Sequence, residues 1–177
     1  MKKKYLELDV YESLMNRLKF IFEEFENIFV SFSGGKDSGL LLNLVLDYKR
    51  KYYPERVIGV FHQDFEAQYD YTTKYVESTF ERIKNEAELY WVCLPMATRT
   101  ALSSYEMYWY PWDDRLQDIW VRPLPQHEYV ISLENNPITT YKYKMHQEDL
   151  AKQFGRWYRA VHGETSTICL LGIRADE

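Results

Sequence analysis

Cysteine is scarce in this sequence: Cys93 and Cys169 are the only two among 177 residues, and each sits inside an apolar run. Neither a disulfide framework nor a cysteine-rich metal or iron–sulfur centre can come from this chain alone. Both thiols are expected in the core of a protein kept in a reducing, cytoplasmic compartment. Long hydrophobic runs are missing too, since no apolar stretch approaches the roughly 20 residues that span a bilayer. The basic start, Met1 to Lys4, leads into Leu6-Glu7-Leu8-Asp9 without an apolar signal-peptide core. No membrane contact and no secretion are expected. An excess of positive charge is also absent: 22 basic residues stand against 27 acidic ones, a net charge of -5. That balance argues against a generic electrostatic grip on nucleic acid. His62, His127, His146 and His162 show no metal-ligand spacing, so no metal site is assigned to protein side chains.

What is present is an alternation of helical and strand patterns without internal repeats. Asp9 with Glu12 forms a capping-box signature, and Leu14, Leu18, Phe22 and Phe25 follow at helical spacing. Ile28 to Phe32 reads as a buried strand, and Leu40, Leu41, Leu44, Val45 and Tyr48 carry a second helix to Lys51. Val57 to Phe61 reads as a strand, Tyr69 to Asn85 as a helix, and Leu89 to Leu94 as a strand stopped by Pro95. From Met96 to Asn136 the pattern loosens into an aromatic-rich insertion, with only a short helix expected around Thr100 to Met107. Pro137 is read as a first helical turn before the apolar face Leu150, Phe154, Trp157, Tyr158 and Val161, and Thr167 to Leu171 as a last strand. The expected fold is α/β, a three-layer sandwich with a mostly parallel sheet, formed by residues 1–177 as one domain.

The chemistry concentrates in Ser33-Gly34-Gly35-Lys36-Asp37-Ser38, which joins the first strand to the second helix. Backbone amides and the positive helix terminus converge there, which suits phosphate. Gly34 and Gly35 allow close approach, Lys36 brings a mobile positive charge, and the Ser33 and Ser38 hydroxyls are candidate donors. Asp37 could orient the loop or a Mg²⁺ ion. The spacing differs from G-x-x-x-x-G-K-[ST], which disfavours a standard phosphate-loop ATPase.

This stretch resembles the SGGKDS signature of the PP-loop, or ATP pyrophosphatase, superfamily. Val60 to Glu66 and Leu171 to Glu177 resemble its phosphoadenosine phosphosulfate reductase-like branch. The overall texture, including Arg99 to Trp112, is similar to proteins related to immunoglobulin-binding regulator A, often carried by prophages and paired with a ParB-like protein. The resemblance covers nearly the whole chain and implies an adenine-nucleotide α-hydrolase-like, Rossmann-like sheet. It also implies ATP or phosphoadenosine phosphosulfate as the bound nucleotide, with Mg²⁺ as a possible companion and chemistry at an α-phosphate or a sulfonucleotide. By resemblance, Ser33 to Ser38 hold phosphate, Asp64 approaches the nucleotide or its metal, and Arg174 reaches phosphate or sulfate. Lys36 and Arg174 are the expected catalytic cations, able to stabilise developing negative charge in a transferase without a protein nucleophile.

Sulfonucleotide reductases of that branch use a cysteine near the carboxyl terminus, and no such motif stands here, so thiol-dependent reduction is not expected. A nucleotide-binding regulatory protein that acts through a protein partner without turnover is the alternative, and a scaffold that no longer binds nucleotide the third. The cluster Tyr105, Tyr108, Trp109, Tyr110 and Trp112 is open to three readings: packing under a loop, a partner surface, or base stacking. His62 is read as a satisfied polar histidine near the ligand edge, and Lys142 with Lys144 as a solvated segment.

Overall fold

The computed structural model describes residues 7–173, and its first element follows from a local signal. Asp9 accepts from the Glu12 amide at 2.7 Å while the Glu12 carboxylate accepts from the Asp9 amide. This reciprocal cap opens α1 (Val10–Glu24), which buries Leu18 and Phe22. The chain then runs through β1 (Asn27–Ser31), α2 (Lys36–Tyr52), β2 (Gly59–Gln63), α3 (Asp70–Ile83) and β3 (Glu88–Val92). Short strands β4 (Met96–Arg99) and β5 (Tyr108–Trp109) and a 3-10 helix (Asp114–Ile119) precede β6 (Val130–Ile131). The last elements are β7 (Met145–His146), α4 (Gln147–Val161) and β8 (Thr167–Leu171).

The fold is α/β, with a five-stranded sheet in the order β6-β3-β2-β1-β8. Every neighbouring pair in it is parallel. Alternation along β1 sorts the core into two layers. Ile28 and Val30 face the apolar sides of α1, α2 and α3, where Leu42, Leu46, Val76 and Phe80 are fully buried. Phe29 faces the other way, against Phe154 and Tyr158 of α4. Helices therefore cover both faces, the arrangement a fully buried parallel sheet requires. Asn27 fastens the start of β1 to the α4–β8 turn by donating to His162 O, Thr165 Oγ1 and Thr167 Oγ1.

From β1 the chain steps through β2 and β3 to β6, and then α4 carries it across to β8 on the far side of β1. The carboxyl ends of β1 and β8 thus form the switch point, where open α/β sheets place their ligands. Among the described residues no helix is long and apolar enough to cross a membrane.

The insertion departs from its sequence reading. Residues from Thr100 to Met107 form turns, not a helix: Thr100 Oγ1 accepts from the Leu102 amide, and Ser103 Oγ from those of Tyr105 and Glu106. These hydroxyls offer the amides a local alternative to the helical ladder. β4 instead pairs with β5 and β7 in a small three-stranded sheet. Pro137 does not open α4 either, because Asn136 Oδ1 captures the Ile138 amide in a turn and the helix starts at Gln147. Cys93 is buried as expected, but Cys169 is exposed, since it lies on the sheet's edge strand.

Candidate functional site

The Ser33–Ser38 loop sits where β1 hands over to α2, at the switch point. Gly34 adopts φ +79°, and a methyl group on it would lie 2.8 Å from Val76 Cγ2 and 2.9 Å from Thr72 Cγ2. Both the left-handed angle and the contact with α3 therefore demand glycine. Gly35 is the N-cap of α2 and offers no side chain to the helix's first amides, so these stay available to an outside acceptor. Lys36 is exposed and has no ion-pair partner among the described residues.

The two serines are used inside the loop. Ser38 Oγ donates to Gly35 O at 3.1 Å and accepts from the Ser33 amide at 3.2 Å, and it lies 2.9 Å from Ser33 Oγ. Ser33 Oγ also accepts from the Gly35 amide at 3.3 Å. With Ser38 Oγ donating to Gly35, the Ser33 hydroxyl donates to Ser38, so both hydroxyl hydrogens are engaged. What the loop turns outward is therefore amide dipoles and an ammonium, and the serines brace that shape.

β8 closes the other side of the switch point. A methyl group on Gly172 would stand 2.8 Å from the Ser38 amide nitrogen and 2.9 Å from the Asp37 carbonyl carbon, so the chain leaving β8 touches the backbone of the α2 terminus. Arg174, two residues further on, lies outside the described residues. On the α4 face, next to the carboxyl ends of β1 and β8, a groove of about 510 Å³ opens between Phe29, Ser31, Arg156, Cys169 and Leu171. Partial burial against the neighbouring protein pushes the pKa of the exposed Cys169 thiol up to about 11.

Asp64 is placed differently from its expected role at the ligand. It is fully buried, and Arg122 Nη2 binds both of its oxygens at 2.6 Å. Trp91 Nε1 and the Glu66 amide donate to the same carboxylate. Those four bonds hold its oxygens toward the interior, making Asp64 an anchor for the loop after β2. Glu66 continues the anchor: its oxygens accept from the Trp112 and Val121 amides, each at 2.8 Å, and Trp112 Nε1 donates to Asp64 O. Asp113 receives Lys144 Nζ and the Tyr143 hydroxyl. Burial tends to raise the Asp113 carboxyl, but those donors prevail and hold it below its ordinary value.

Lys144 is consequently ion-paired rather than solvated. Within the aromatic cluster, Trp112 is buried, Tyr105 is exposed, and Tyr108, Trp109 and Tyr110 line a cavity. His62 donates from Nδ1 to Phe32 O at 2.7 Å, but its Nε2 is buried without a hydrogen-bond partner, so it is only half satisfied. Burial pushes its imidazole down and keeps it neutral. Gln63 ties β2 to the neighbouring elements by donating to Gln147 O and Met96 Sδ.

Sequence reasoning did not find Arg122, Glu66 or Asp113. Their partners lie 58, 46 and 30 residues away along the chain, beyond the reach of any local pattern. The one signal was compositional and touched two of the three: Asp113 and Arg122 stand among tryptophans and prolines, where a solvated charge has no need of such neighbours.

No family model matches the sequence. The chain is 33% identical over 173 residues to the uncharacterized protein YbdN of Escherichia coli (strain K12), an alignment covering 97% of this chain and 40% of that protein. It thus spans about two fifths of the length of the curated relative it matches.

Proposed function

We propose that the chain binds an adenine nucleotide at the Ser33–Ser38 loop and acts on its α-phosphate or on a sulfonucleotide, as the PP-loop resemblance implies. The observation that carries this reading is the contact of Gly172 with the Asp37–Ser38 backbone. It brings the end of β8 onto the amino terminus of α2, at the sheet's switch point. First-turn amides, the α2 dipole and exposed Lys36 then face one place, a donor set that fits a phosphate and has little use otherwise.

When bound, the nucleotide supplies the electrophilic phosphorus or sulfur. Gly34 and Gly35 let the backbone approach, and the Ser33–Ser38 hydroxyl pair keeps the amides aimed. Lys36 opposes negative charge as it develops, with Arg174 as the expected second cation. Asp37, at the same turn, is expected by the resemblance to orient the loop or a nucleotide-bound Mg²⁺. The apolar groove beside Ser31 and Leu171 offers room for the nucleoside. A nucleotide-dependent role of this kind belongs in the cytoplasm.

A second reading, a regulator that binds nucleotide and presents it to a protein such as a ParB-like partner, draws support from Tyr69 and Tyr71. These rings are 87% and 86% exposed at the start of α3, whose Thr72 packs on Gly34. Calorimetric titration with ATP, adenosine phosphosulfate and phosphoadenosine phosphosulfate, with and without Mg²⁺, tests both. Binding that Lys36→Ala abolishes supports the site. Release of AMP, pyrophosphate or adenosine bisphosphate then separates enzyme from regulator, and no binding of any of the three defeats both readings.

A further inference from the structure

We propose that the cavity between β5, the 3-10 helix and the β2–α3 loop is a second binding site, built for a flat aromatic ring that is neutral or positively charged. The cavity measures about 740 Å³, within the usual range of small-molecule sites. Tyr108, Trp109, Tyr110 and Trp120 supply ring surfaces to its wall. Three carboxylates, Glu66, Glu106 and Asp113, stand in that wall against one cation, Lys144. Lys144 is moreover committed to Asp113 at 2.5 Å and lies 4.5 Å above the Tyr110 ring. The local field is therefore negative, and a phosphate or sulfate is repelled where a neutral or cationic ring is accepted.

The cavity is prebuilt. Four non-glycine residues among those described have positive φ, and three belong to this region: Glu66 at 60°, Trp112 at 57° and Lys144 at 58°. Such angles are costly outside glycine and persist only where surrounding bonds impose them. Here the Glu66 carboxylate, bonded to the Trp112 and Val121 amides, and the Lys144–Asp113 pair impose them. Mere packing of the aromatic cluster would have closed the space with those same rings. Instead they surround a hollow with Met107 and Ile119 exposed at its rim.

Ala67 and Val121 also line an adjoining hollow of about 420 Å³ that includes Thr72, the residue packed on Gly34. The ring site is thus linked to the phosphate loop through shared lining residues and Thr72. Its meaning as the place for the ring of an acceptor substrate rests on the nucleotide reading, whereas ring binding itself does not.

The test is amide and indole NMR of the full chain titrated with indole, 1-methylnicotinamide and benzoate: a neutral, a cationic and an anionic ring. Indole and 1-methylnicotinamide are expected to shift the Trp109 and Trp120 indole signals saturably, with benzoate about tenfold weaker or worse. Trp109→Ala should weaken both ligands by about tenfold, and Lys36→Ala should leave them unchanged. If Trp109→Ala loses its dispersed spectrum, Tyr110→Leu makes the same comparison. No saturable shift, benzoate binding as tightly as the others, or indifference to the wall substitutions overturns the proposal. Ring binding in a chain that binds neither ATP nor adenosine phosphosulfate nor phosphoadenosine phosphosulfate sinks the nucleotide reading and leaves this one standing.

Discussion

Gly172 and Ser38 are in backbone contact: a methyl group on the glycine would reach to 2.8 Å of the serine amide nitrogen. Neither partner can yield by rotating a side chain, because the obstacle is the main chain of the α2 terminus. Gly172→Ala is therefore expected to cost about 1–3 kcal/mol by overpacking and to weaken nucleotide binding by spreading β8 from the loop. Gly39→Ala is the control, since its methyl would meet only Tyr75 Oη at 2.7 Å, the far end of a ring that is 41% exposed. That ring can swing away, and alanine is favoured over glycine in a helix by about 1 kcal/mol, so the change should be neutral or stabilising. Urea denaturation of both variants checks the contrast, and equal effects would show that the β8–α2 approach is not tight.

Asp64 and Arg122 form the buried pair that holds the insertion onto the sheet. Asp64→Asn leaves a guanidinium without its counter-charge, and removing one partner of such a pair costs about 3–5 kcal/mol. Arg122 retains some solvent access, so the lower end is expected. Adding Arg122→Met to Asp64→Asn should recover part of the loss, giving a coupling energy in a double-mutant cycle. Additive losses would mean that the pair contributes little. As a positioning residue, Asp64 should affect nucleotide affinity less than Lys36 does.

The legible parts of this fold are those whose cause is local. The Asp9–Glu12 cap, the apolar run of β1 and the glycine turn each state their structure within six residues, and β8 matches its expected bounds from Thr167 to Leu171. β6 was missed because two apolar residues, Val130 and Ile131, carry no period, and what makes them a strand is pairing with Trp91 and Val92. The helix expected near Thr100 failed because Thr100 and Ser103 compete for the amides it would need. At the site, the loop could be read directly. The engagement of its serine hydroxyls and the inward turn of Asp64 depend on contacts that no spacing records.

Cys169 offers a chemical check on the groove beside β8. Its thiol is accessible, but burial pushes its pKa up to about 11, so at pH 8 only about 0.1% is thiolate. Iodoacetamide should modify it slowly at pH 8 and about tenfold faster for each pH unit up to 10. Cys93, buried and raised well above its ordinary value, should stay unmodified in the folded protein. Fast modification of Cys169 at neutral pH would contradict the raised pKa of its thiol, and protection by a bound nucleotide would place the nucleoside in the groove.

His62 makes the fold sensitive to acid, and the sign follows from its surroundings. Burial lowers its folded-state pKa beneath the ordinary value near 6.5, outweighing the Asp64 charge and the Gln68 side chain, which favour the protonated ring. Below about pH 6.5 the unfolded chain takes up a proton that the folded chain refuses. Stability then falls by up to about 1.4 kcal/mol for each pH unit until the folded-state pKa is reached. Asp113 adds a loss of the same sign at lower pH, because its depressed carboxyl must be protonated as the acid range is entered. Urea denaturation of wild type and His62→Gln at pH 7.0, 6.0 and 5.0 separates the two. The wild type should lose stability across this window and the variant should lose less, although the variant starts lower for want of the bond to Phe32 O. Parallel slopes would show that His62 is protonated in the folded state and that its Nε2 has found an acceptor.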